Sequence, residues 1–185
     1  MFTIYDAPLR SVRDFKYLGR ILSDVDSDWP AVHKNIAKAR SKWARISRIL
    51  AREGARPRVS SMFYKAVVQS VLLYGSETWV LSPTILQVLQ GFHHWIARQI
   101  TGMRPRFCPR TDTWSKPPIA EALEAADMRT IEWYITKRRV TFAKLVTGRP
   151  VYDLCQQAQR NAGDRLCWWD QALTWEEAMT EEDIV

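Results

Sequence analysis

Between Val32 and Leu50 an apolar residue recurs at alternating steps of four and three: Val32, Ile36, Ala39, Trp43, Ile46 and Leu50. That period puts all six on one face of an α-helix. Lys34, Lys38, Lys42, Arg45, Arg48 and Arg52 follow the same spacing on the opposite side. At 1.5 Å rise per residue, this basic stripe runs for roughly 25 to 30 Å, about the footprint of a nucleic-acid duplex. Ser27 or Asp28 is placed to cap the start, Pro30 suits the first turn, and Gly54 marks the end.

The same signals recur downstream. Pro57 opens a second helix reaching about Tyr74 or Gly75. Met62, Phe63, Ala66, Val67, Val71, Leu72 and Leu73 make it apolar over most of its circumference, so it is expected to be the central, most buried helix. A third starts with Ser82 as cap and Pro83 at its first position, turns Ile85, Leu89, Phe92, Ile96 and Ile100 inward, and stops at Gly102. These three helices form a bundle.

Ahead of them, Phe2, Ile4, Val12, Phe15, Tyr17, Leu18, Ile21 and Leu22 read as short strands, with a small hairpin folding around Gly19. Such a hairpin cannot bury itself and must pack on something else. Met103 to Pro118 is rich in proline and arginine and has no apolar period, as in a linker or functional loop. Helices resume at Ile119 to Ala126 and at Met128 to Thr147, the latter capped by Asp127 and closed by Gly148-Arg149-Pro150. A weaker helical region spans Val151 to Ala178, and the tail from Glu176 to Asp183 is acidic. The expected fold is mainly α. It has a β segment over residues 1–24, a helical bundle over 25–102, a Pro-rich basic loop or linker over 103–118, and a second group of helices over 119–185.

With 185 residues and 46% hydrophobic content the chain has enough apolar material for a core. Its 27 basic and 20 acidic residues give a net charge of +7, which favours polyanionic partners without identifying one. Cys108, Cys155 and Cys167 are odd in number and far apart, pointing to free thiols in a reducing compartment. No window approaches the roughly 18 apolar residues of a membrane span, and Asp6 and Pro8 interrupt any secretory signal. The expectation is an intracellular protein that contacts no membrane, in nucleus or cytoplasm.

Candidate chemistry is sparse. Polymerase chemistry needs clustered carboxylates, and the chain has no Asp-Asp pair. Asp24, Asp26 and Asp28 alternate, but a calcium loop counted from Asp24 would place Trp29 where it needs Gly and Asn35 where it needs Glu. His93 and His94 are adjacent, so their side chains diverge by about 100° and cannot share one metal; one is expected half-buried and the other exposed. Cys155 and Cys167 fit no zinc spacing. No catalytic residue, metal site or cofactor is assigned. Trp43, Trp79, Trp95 and Trp133 are expected in the core, while Trp29 and Trp114 lie in loops. Lys137, Arg138 and Arg139 fan out around a helix, as a second basic cluster or equally as a solvated face.

The string from Asp14 to Leu22, containing FKYLG, is followed by the basic IAKAR helix, by FYKAVVQSVLLYGSETWVL and by FHHWIARQITG. Together these resemble the region downstream of the catalytic motifs in LINE-type (non-LTR) retrotransposon reverse transcriptases. The resemblance covers Phe15 to Gly102, and EWYITKRRVTFAKL is similar to the continuation seen in some members. It implies that Phe15, Lys16, Tyr17, Leu18 and Gly19 belong to a primer-grip turn, and that the helices after it form a thumb closing on an RNA or DNA template/primer duplex. The family's Tyr-x-Asp-Asp metal site lies upstream of the FKYLG segment. RNA-directed DNA polymerase activity and its Mg2+ are therefore implied for a parent protein, whose palm is a possible partner, and not for this chain alone. Two readings stand beside it: a helical structural or protein-interaction module whose basic face is merely solvated, and an inert retrotransposon remnant.

Overall fold

The computed structural model describes residues 3–4, 7–8, 12–17, 20–23, 27–115 and 117–147. Among them the fold is mainly helical, with short strands at the N-terminal end, as expected. The long helix α1 (Trp29–Arg52) is followed by α2 (Pro57–Phe63), which widens into a π-helical stretch (Tyr64–Gln69) and returns to α as α3 (Ser70–Leu72). A 3-10 turn (Ser76–Thr78) leads to α4 (Pro83–Thr101), and α5 (Ile119–Ala125) and α6 (Ile131–Thr147) complete the helices. Three antiparallel hairpins accompany them among the described residues: β1 (Thr3–Ile4) with β2 (Ala7–Pro8), β3 (Asp14–Tyr17) with β4 (Arg20–Ser23), and β5 (Arg106–Cys108) with β6 (Thr113–Ser115).

Local chemistry sets most helix ends. At the end of α1, the Ala55 amide donates to the Leu50 carbonyl at 2.9 Å and the Gly54 amide to Ala51 at 3.2 Å, with Gly54 at φ +60°. This left-handed closure satisfies carbonyls that the helix leaves open, and glycine adopts it without a Cβ clash. The start differs from expectation in one respect. Ser27 Oγ accepts from the Trp29 amide at 3.3 Å, whereas the Asp28 carboxylate makes no cap bond and instead accepts from the Val80 amide at 2.7 Å. For α4 the expected Ser82 cap is present, accepting from the Ile85 amide at 3.3 Å, and Gly102 closes the helix at φ +71°.

Asp127 does not cap the last helix. It closes α5: its own amide donates to Glu124 at 2.9 Å, the Met128 amide donates to Leu123 at 2.8 Å, and Asp127 itself sits at φ +52°. Thr130 caps α6, its Oγ1 accepting from the Trp133 amide at 3.3 Å, so that helix begins at Ile131. A carboxylate residue can serve either motif, and the short connection between the two helices decides which.

One hydrophobic cluster joins the helices. It runs from Val32, Ala39 and Trp43 of α1 through Tyr64, Val68 and Leu72 to Ile85, Leu89, Phe92 and Ile96 of α4, and on to Leu123, Ile131 and Ile135. The second helix is turned differently from the expectation. Ser61 and Tyr64 are fully buried, while Met62 and Phe63 are 59% and 47% exposed. Its apolar residues cover so much of its circumference that its rotation is set by neighbours, and the small Ser60 and Ser61 face inward. Trp43 and Trp79 are buried, Trp133 is partly buried, and Trp95 is exposed, correcting its assignment to the core. The segment from Met103 to Pro118 is not wholly aperiodic: β5 and β6 pair there, with the Phe107 and Trp114 rings 5.5 Å apart and both exposed. The expected helical region from Val151 to Ala178 lies outside the described residues.

Candidate nucleic-acid interface

Over its 24 residues α1 carries seven cations, the six of the stripe and Arg40, and no acid. Ala31, Val32, Asn35, Ala39 and Trp43 are buried. Lys38, Lys42, Arg45, Arg48 and Arg52 are exposed, and Lys34 is partly buried. The two faces thus separate as the period requires. Arg48 Nε donates to its own helix at the Ala44 carbonyl, and Arg52 pairs with Glu53 at 3.0 Å. Both members of that pair are largely exposed, so it contributes roughly 1 kcal/mol at most and leaves Arg52 available to a stronger anion.

The core locks the orientation of this face. Trp43 Nε1 donates to Gln99 Oε1 at 2.8 Å, and the indole meets the Tyr64 ring edge-on at 6.2 Å. Asn35 Nδ2 donates to the carbonyls of Leu72 (3.4 Å) and Tyr74 (3.0 Å), tying α1 to the open C-terminal end of α3. As a result Lys38, Lys42 and Arg45 stand beside Ser70, Val71 and Tyr74 along a groove of about 750 Å3. Tyr74 was not singled out by the sequence pattern, because only the antiparallel pairing of the two helices brings it to the basic stripe.

Phe15, Lys16 and Tyr17 lie on β3 and are exposed. The rings of Phe15 and Tyr17 stack at 6.5 Å on one face, as strand alternation dictates, and Lys16 takes the other. Tyr17 pairs with Arg20 across the hairpin, and β4 lies against α1. Leu18 and Gly19 lie outside the described residues.

Two expectations change here. His93 is completely buried and His94 is partly buried, so neither is exposed. His93 Nε2 donates to the Arg129 carbonyl at 2.9 Å, which leaves Nδ1 to accept the Tyr64 hydroxyl at 2.8 Å. Burial pushes the imidazole down to about 4 and lifts the Tyr64 phenol above its ordinary range. The second basic cluster is not a fan into solvent. Arg138 donates to Glu77 at 3.1 Å, Arg139 to the Trp79 carbonyl, and Lys137 lies 5.0 Å over the Trp133 ring. Burial lowers Arg139, with Asp28 and Glu77 opposing it. These residues clasp the 3-10 turn onto α6. A cavity of about 830 Å3 nearby has Lys65 bonded to the Asp127 carbonyl and Arg138 to Glu77.

Among the described residues no group of three or more His, Cys, Asp or Glu is arranged to hold a metal ion. Asp28 is engaged with Val80, and Asp24 and Asp26 lie outside the described residues. No helix among the described residues is long and apolar enough to cross a membrane. The chain matches no protein-family model, no curated protein and no solved structure at a significant level.

Proposed function

We propose that this chain grips nucleic acid through the cationic face of α1, as the thumb-like part of a LINE-type reverse transcriptase, with RNA or DNA as its partner. The observation that carries this reading is a helix bearing seven cations and no acid, with its other face fixed in the core. Lys34–Lys38, Lys38–Lys42, Lys42–Arg45, Arg45–Arg48 and Arg48–Arg52 are like-charge neighbours at three or four residues. Each such pair costs a helix about 0.2 to 0.5 kcal/mol, or about 1 to 2.5 kcal/mol for the five together. A merely solvated face would relieve that repulsion by mixing signs, whereas a phosphate backbone turns it into affinity. The hairpin of β3 and β4, whose β4 lies against α1, supports the same reading, since the resemblance gives the FKYLG segment to a primer grip and the helices after it to a thumb.

Each cation that neutralises a phosphate releases counterions, so duplex binding should weaken steeply with salt. Two or three contacts give a slope of log affinity against log salt of about −2 to −3, and six give about −5. Replacing Lys38, Arg45 and Arg48 together by Gln should flatten the slope and leave the fold intact. A fluorescence-anisotropy salt titration on a labelled duplex tests this. Equal slopes for wild type and variant, or no binding by either at low salt, would remove the nucleic-acid reading of this face and leave the structural-module and inert-remnant readings standing.

A further inference from the structure

We infer that the groove between α1 and α3 holds a single strand of nucleic acid, with a base stacked on Tyr74 and the adjoining phosphates on Lys38, Lys42 and Arg45. This rests on the nucleic-acid reading of α1 and adds the class of ligand and the residue that tells it from a duplex.

The groove, about 750 Å3, falls within the range of roughly 300 to 1,000 Å3 typical of small-ligand sites. One wall is cationic, and among the described residues no carboxylate lines it. The rest is largely apolar: Val71, the Tyr74 ring, and the methylene stems of the cations themselves. Ser70 Oγ is already bonded within its helix, to the carbonyls of Ala66 at 2.9 Å and Val67 at 3.1 Å, and does not make that floor more polar. Tyr74 is 52% exposed, yet its position is fixed. Asn35 holds its carbonyl at 3.0 Å, and the chain turns away immediately after it at Gly75, φ +78°.

A row of cations beside an apolar, aromatic wall matches a polymer that alternates phosphate with an exposed ring face. A duplex offers the phosphates but keeps its ring faces stacked on one another. Lys38 and Arg45 are separated by about 10 Å along the helix axis, close to the rise of three stacked nucleotides at about 3.4 Å each. Acidic peptide would satisfy the cations and leave the Tyr74 wall unused.

The test is binding of the full chain to a fluorescein-labelled dT12, to a labelled duplex, to a twelve-unit abasic strand of equal charge, and to poly-glutamate. Wild type, Tyr74→Phe and Tyr74→Ala are compared by anisotropy, with circular dichroism to verify the fold. The expected result is a loss of about fivefold or more in dT12 affinity for Tyr74→Ala, near-full retention for Tyr74→Phe, and no change for either on the abasic strand. The salt slope should be the same for all three. Equal dT12 binding by wild type and Tyr74→Ala, with duplex binding still salt-dependent, overturns the groove proposal and leaves the α1 reading standing. Poly-glutamate bound as tightly as dT12 overturns it as well. Absence of binding to every nucleic acid at low salt removes both.

Discussion

Acidification from pH 7 to pH 4 should weaken the fold through His93. The imidazole is fully buried, with Nε2 committed to the Arg129 carbonyl and Nδ1 to the Tyr64 hydroxyl. Burial lowers it from 6.5 to about 4, the Arg129 carbonyl opposes the shift, and neighbouring His94 adds to it. The unfolded chain therefore takes up this proton before the folded one does as pH falls. The contribution to stability is complete above about pH 6.5 and is lost as pH drops towards about 4. At about 1.4 kcal/mol per pH unit, that window amounts to roughly 3 kcal/mol. His93→Gln keeps a neutral donor and acceptor but cannot titrate. Urea unfolding of both proteins at several pH values isolates the effect, because the carboxylates common to both largely cancel. The stability difference between them should shrink by roughly 3 kcal/mol between pH 7 and pH 4. Should the variant fail to fold, the histidine proton resonances of wild type give the same answer: a midpoint near 4 for His93. A pH-independent difference, or a midpoint near 6.5, would refute the reasoning.

Trp43→Ala should cost roughly 3 to 5 kcal/mol in urea unfolding, because it empties a buried indole site and strands Gln99, yet it leaves every cation of the stripe in place. Asp28→Ala should cost roughly 1.5 to 3 kcal/mol by the same assay, since the Val80 amide loses a charged acceptor and Arg139 a nearby counter-charge; an effect under about 0.5 kcal/mol would mean that the bond is not formed. Gly54→Ala meets no atom within 4 Å, so its cost is that of the left-handed backbone alone, about 1 to 2 kcal/mol. No change in its unfolding midpoint would show that α1 closes in another way.

Some of this protein was legible from short stretches of chain. The α1 face, its closure at Gly54, the Ser82 cap and the Gly102 stop depend on residues within a few positions of one another, and local hydrogen bonding decides them. The same locality made the outward direction of Lys38, Lys42, Arg45, Arg48 and Arg52 readable. Other features depend on which surfaces meet across 30 to 65 residues, and no local period encodes that. The Asp28 carboxylate is drawn to Val80 and away from its own helix. Ser61 and Tyr64 face inward while Met62 and Phe63 face out, because α1 and α4 fix the rotation of a helix apolar on most sides. Arg138 and Arg139 turn inward onto Glu77 and Trp79, where a run of consecutive basic residues had left a solvated face equally open. Tyr74 lines one groove with Lys38 and Arg45 because α1 packs along the second helix, where Asn35 binds the end of α3. Sequence thus determined the helices and the charge on α1, and tertiary packing determined their rotation and the groove beside that charge, since burial of one face against a distant partner outweighs the weak local preferences of an ambiguous helix.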